Sequence, residues 1–130
     1  MKRIILSALL VFLALPLAGA TTQKQRQIQP CEEKPSQAEA SACAYHEYQA
    51  ADAELNKVYG RLAAKLEADE KSLLKDSELA WIKYRDSNCG FESSFFKGGT
   101  MRPMIESLCL ARVTKVRTAE LKQQLDSFQQ

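Results

Sequence analysis

Four cysteines stand downstream of an export signal, and that combination constrains this chain more than any other feature. Met1-Lys2-Arg3 is a basic start, Ile4 to Leu17 is an apolar run broken only by Ser7 and Pro16, and Ala18-Gly19-Ala20 is a small-residue cleavage site. Residues 1–20 therefore read as a secretory signal peptide. They do not read as a membrane span, because the run is short for a bilayer and ends at a cleavage site. Cleavage after Ala20 would deliver the remainder to the periplasm or the exterior, where thiols oxidise. An even number of cysteines in that setting implies disulfides.

The export signal also corrects the charge balance. The chain has 18 Lys and Arg against 16 Asp and Glu, and two of the basic residues, Lys2 and Arg3, leave with the signal. The mature chain is electrically balanced, so net charge argues for neither nucleic acid nor an anionic membrane as partner. No apolar run after Leu17 is long enough to span a bilayer, so no membrane insertion is expected after cleavage. The mature length suits one domain, large enough for a core and small enough to gain from covalent staples.

Residues 21–35 form an irregular N-terminal segment. Thr21 to Gln29 is polar and aperiodic, and Pro30 and Pro35 bracket Cys31. Residues 36–128 carry helical periodicity throughout. Ser36-Gln37-Ala38-Glu39 is a capping box that opens a first helix over about 37–67. Its stripe, Tyr48, Ala51, Leu55, Tyr59, Leu62 and Leu66, advances in steps of three and four. Ala68-Asp69-Glu70 is the expected break, short enough to make the neighbouring helices antiparallel. A second helix is expected from about 70 to the low 90s, with the stripe Leu74, Ser77, Trp81, Tyr84, Asn88 and Phe91 widened by Leu73 and Ala80. Gly98-Gly99 ends it, Thr100 caps the next, and Pro103 falls in the first turn, where a missing N–H costs little. The third helix covers about 101–127, with apolar residues including Met101, Met104, Leu108, Val113, Val116, Leu121 and Leu125 in a blurred period. No segment alternates as a strand would. The fold class is all-α, a three-helix up-down-up bundle stapled by two disulfides.

Four cysteines allow three pairings. Cys89 near the end of helix two and Cys109 two turns into helix three are placed to staple the loop containing Gly98-Gly99. Cys31–Cys43 would tie the lead-in to the start of helix one. No CxxC occurs, which disfavours both a structural zinc site and a redox dithiol.

Enzyme signatures are nearly absent. His46 is the single histidine, and no nucleophile elbow, zinc-protease motif, phosphate loop or dinucleotide fingerprint is present. The residues predict no catalytic centre, metal or cofactor. They do predict a polar network: Asp52 and Asn56 lie four apart on one flank of helix one, and Arg85, followed by Asp86, flanks the stripe of helix two. Trp81, Tyr84, Tyr48 and Tyr59 are expected in the core.

Taken together, these residues resemble the LprI-type lysozyme inhibitor family. The matching elements are Ser36-Gln37-Ala38-Glu39 leading to Cys43-Ala44, Ala51-Asp52-Ala53-Glu54-Leu55-Asn56 with Tyr59 and Leu62, and Ala80-Trp81-Ile82-Lys83-Tyr84-Arg85-Asp86 with Cys89. They continue through Gly98-Gly99-Thr100 with Met104 and Cys109 to Thr114 and Arg117 with Leu121. Arg117 thereby joins the expected polar network. Ala40-Ser41 departs from the methionine-asparagine-like pair expected there. The resemblance implies an LprI-like helical domain with disulfides, acting as a periplasmic or secreted proteinaceous lysozyme inhibitor. A lysozyme cleft carries two carboxylates, and Lys97, Gly98, Gly99, Thr100 and Arg102 form a donor-rich loop suited to it. The competing expectation is a non-catalytic module binding another cell-envelope protein.

Overall fold

The computed structural model describes residues 30–128. The expected signal peptide and most of the N-terminal tail lie outside them. A 3-10 turn, Cys31–Glu33, precedes three helices: α1 (Gln37–Ala63), α2 (Ala68–Ser94) and α3 (Arg102–Ser127). The fold is the all-α three-helix bundle, with disulfides Cys31–Cys43 and Cys89–Cys109.

Local chemistry sets the helix boundaries. Ser36 is extended, and its hydroxyl accepts the Glu39 N–H at 3.2 Å, opening α1. α1 ends at Ala63, earlier than its apolar period suggests. The reason is Glu67: its backbone is extended and its N–H donates to the Glu70 carboxylate at 2.9 Å, so α2 begins at Ala68. The break is therefore 64–67, and Asp69 and Glu70 lie in the first turn of α2, where negative charge suits the helix dipole. Gly98 takes φ +81°, which the α2–α3 turn needs glycine for, and the turn is tight at Gly99, where a Cβ would meet the Phe96 carbonyl oxygen at 3.3 Å. Thr100 does not cap α3. The turn closes with the Arg102 N–H on the Gly99 carbonyl, and Met101 takes the cap position with helical dihedrals and no side-chain cap.

α3 is the central element. α1 packs along it, α2 packs on it more lightly, and α1 and α2 touch each other least. α1 and α3 run parallel in a constant register, with Glu47 on Lys115 at 3.4 Å and Glu54 on Lys122 at 2.8 Å. α2 runs antiparallel to α3, with Glu92 on Arg112 at 2.6 Å at one end and Glu78 on Arg117 at 3.0 Å toward the other.

The blurred period of α3 has a clear cause. Its buried seam, Met104, Ser107, Ala111, Thr114, Thr118, Leu121 and Leu125, keeps helical spacing, but three of its members are polar. The Thr118 hydroxyl donates to the Thr114 carbonyl at 2.9 Å, which satisfies a donor the apolar pattern cannot predict. Val116 and Met101, expected on the apolar face, are exposed.

α2 differs most from expectation. Its buried residues are Leu74, Arg85, Cys89 and Ser93, with Trp81 and Asn88 half-buried. Leu73, Tyr84 and Phe91 are 71%, 59% and 66% exposed, and Ser77 and Ala80 are also exposed. Leu74, Trp81 and Asn88 of the expected stripe keep their inward place, while Ser77, Tyr84 and Phe91 give way to Glu78, Arg85 and Cys89, so the buried face lies to one side of the expected one. The covalent bond decides: Cys89 must face Cys109, and Arg85, one turn earlier, then faces inward.

Candidate functional site

Two places gather chemistry-bearing side chains. The first is the interhelix network around Arg85, which sequence reasoning put on a flank and the fold puts at the centre. The guanidinium lies 5.6 Å from the Tyr48 ring centroid and 5.1 Å from that of Trp81. A cation so placed is held by the ring quadrupoles. Asp86 accepts from Nε at 2.8 Å, and Asp52 of α1 lies 3.6 Å from the guanidinium. Asn56 donates to Asp52 at 3.0 Å. Asp52, Asn56, Arg85 and Asp86 therefore form one unit bridging the loosely packed α1–α2 pair. The Arg85 side chain is only 10% exposed, while both carboxylates keep water contact. Burial pushes the Tyr48 phenol above its ordinary pKa, opposed by the Arg85 charge and assisted by Asp52, Asp86 and Tyr45. The i to i+4 spacings Tyr48–Asp52 and Trp81–Arg85 are the signal that could have revealed this sandwich.

Arg117 is not part of that unit. It pairs with Glu78 and Glu120, both at 3.0 Å, and donates to the Ser77 hydroxyl at 3.2 Å. It borders an open groove of about 390 Å³ with Leu62, Leu66, Leu73, Leu74 and Phe128. The Glu78–Arg117 pair, 13% and 10% exposed at its side chains, escaped sequence reasoning because the residues lie 39 apart on different helices.

The second place is the α2–α3 loop. Lys97, Gly98, Gly99, Thr100 and Arg102 are all exposed. Among the described residues neither Lys97 nor Arg102 has an acidic partner, and Glu92 on α2 is taken by Arg112. The Cys89–Cys109 bridge, with Cα atoms 5.5 Å apart, clamps the two helices that carry the loop.

The grouping closest to a metal site among the described residues is Cys31, Cys43 and Glu47. Its sulfurs are joined in a disulfide, which leaves no thiolate to ligate. His46 is exposed and sits 3.2 Å from the Gln49 side chain. On the surface, Lys122 hydrogen-bonds the Glu54 carboxylate and so lowers its pKa.

Comparison with known proteins gives two matches. An uncharacterized protein of Rhizobium meliloti (strain 1021) is 40% identical over 132 residues, covering 88% of this chain and 93% of its own length. No solved structure matches the chain. The family model described as "Lysozyme inhibitor LprI" matches residues 31–121, from the first disulfide cysteine to the leucine core of α3. With that match over most of the described helices, the chain belongs to the LprI lysozyme inhibitor family.

Proposed function

We propose that this protein is an exported, non-catalytic inhibitor of lysozyme whose contact centres on the 97–102 loop. The observation that carries the reading is the loop itself: two cations without acidic partners, on a glycine turn, between helices clamped by a disulfide. Lysozyme cleaves between two carboxylates. Lys97 and Arg102 have the charge to meet that cleft, and Gly98-Gly99 allows close backbone approach. The clamp orders the loop before binding and so lowers the entropy lost in the complex. Both disulfides suit an oxidising compartment, which with the N-terminal signal supports action in the periplasm or beyond it.

Titration of lysozyme activity with the purified oxidised protein tests the reading. Inhibition should reach completion near stoichiometric ratios at micromolar concentration. Lys97→Glu together with Arg102→Glu should abolish it with the melting temperature unchanged, because both side chains are exposed. A wild-type protein that inhibits no lysozyme would leave the envelope-protein binding module as the better reading. Inhibition that survives the double charge reversal would move the contact elsewhere on the surface.

A further inference from the structure

The apolar residues of α2 lie on two faces, and the structure buries only one. Leu74 and Cys89 face α3, with Trp81 half-buried beside them, whereas Leu73, Tyr84, Phe91 and Phe95 are 71%, 59%, 66% and 72% exposed. The exposed set, with Ala80, recurs at helical spacing and forms an apolar ridge that runs to the α2–α3 loop. Phe91 and Phe95 close it as an edge-to-face pair, ring centroids 5.1 Å apart. Phe96 and Met101 add 37% and 42% exposed surface next to Lys97 and Arg102. No acidic residue occurs between Ser93 and Ile105. The exposed apolar surface is densest at the Phe91–Phe95 end, since Ser77 and Ser87 interrupt it along α2; a cluster of this kind suits a binding surface, and aromatic side chains are the usual anchors of one.

We infer that the Phe91–Phe95 pair is the apolar anchor of the contact to which the 97–102 loop contributes charge, so that the partner is a folded protein presenting an acidic cleft bordered by an apolar pocket. The inference rests on the lysozyme-inhibitor reading and extends it from the loop onto α2. Charge selects this occupant over a second copy of the chain. A self-contact at the patch would have to answer Lys97 and Arg102 from Glu92, already paired with Arg112, and from the half-buried Glu106. An acidic cleft answers both cations while its rim covers the phenylalanines. The two parts then divide the work: exposed charge governs association, and the buried aromatic pair governs dissociation.

The test uses the full mature oxidised protein against lysozyme in three forms: wild type, Phe91→Ser with Phe95→Ser, and Lys97→Glu with Arg102→Glu. The serine variant should keep its melting temperature and weaken inhibition by at least about 30-fold, the loss typical of a hot spot, through faster dissociation. The charge variant should abolish inhibition, and any residual association should speed up with added salt, the reverse of the wild type. Should the double serine variant fail to fold, Phe95→Ser alone, at the C-cap of α2, carries the same comparison. Wild-type inhibition by a folded serine variant overturns the anchor and leaves the loop reading standing. A wild-type protein that inhibits nothing overturns both. A wild-type dimer that the serine substitutions convert to monomer assigns the ridge to self-association and overturns the inference.

Discussion

The two ends of the bundle are held together by different physics. Where α1 ends, α2 begins and α3 ends, the core is Leu55, Val58, Leu62, Leu74, Leu121 and Leu125, and no covalent bond crosses it. At the opposite end the apolar clusters are smaller and built around the disulfides, Cys31, Ala40, Ala44 and Met104 in one and Cys89, Cys109 and Val113 in the other, with Ser93 and Ser107 also buried. Burial of a leucine contributes roughly 1.5–3 kcal/mol, whereas alanine offers little apolar area and serine almost none. Closing loops of 12 and 20 residues stabilises by roughly 3 kcal/mol each in the chain-entropy model, much as a buried leucine would. The bridges thus reinforce two small apolar clusters at the end that carries the exposed loop. Small side chains there let α1 approach α3 closely while the loop and its aromatic neighbours stay outside.

This division can be broken from either end. The largest effect should come from reduction. Removing both bridges costs about 6 kcal/mol on the same estimate, and the loss should begin at the disulfide end. Hydrogen exchange should show amides of the first turns of α1 and α3 and the last turns of α2 losing protection before those around Leu121. Uniform loss of protection would mean that the two ends are not separable. At the leucine end, Leu121→Ala should cost about 3–4 kcal/mol, since the side chain is fully buried among leucines of all three helices. Chemical denaturation measures it, and a cost below about 1 kcal/mol would remove the distinction between the ends.

Smaller effects sharpen the boundary between them. Arg85→Ala should destabilise by about 1–2 kcal/mol, through loss of the stacked guanidinium and of the Asp52 bridge between α1 and α2. It should not reach the larger cost of breaking a fully buried pair, because Asp52 and Asp86 stay hydrated. Arg85→Lys should recover little of that stability, since an ammonium cannot stack as the planar group does. The smallest change, Thr114→Val, should be neutral or stabilise by up to about 1 kcal/mol. Among the described residues the buried Thr114 hydroxyl has no hydrogen-bond partner, and a methyl group of the same shape avoids its desolvation cost. A thermal melt showing clear destabilisation would point to a bound water at that oxygen.

Helix α2 shows why part of the site was hidden in the sequence. Its apolar residues give a well-formed period, and half of that stripe, Ser77, Tyr84 and Phe91, faces solvent. A periodicity argument places the most apolar face inward, whereas here a disulfide and a stacked arginine fix the rotation. The stripe of α1 was legible because most of its members lie on the α3-facing side, with Ala51, Leu55 and Leu62 buried. The polar seam of α3 was not, because Thr118 meets its hydrogen-bond need within its own helix.

The helical class, the number of helices and the glycine turn are legible in the sequence, which also favours the local pairing of the cysteines among three possible ones. The first three depend on chemistry within one segment: spacing, caps, and φ values open only to glycine. The tertiary structure decided what depends on residues far apart in the chain. It set the parallel register of α1 on α3, the Glu78–Arg117 pair and the rotation of α2 that buries Arg85 and exposes Phe91 and Phe95. A side chain's face is fixed by the sum of its neighbours' contacts, and on α2 a covalent bond to α3 outweighed the apolar area turned toward water.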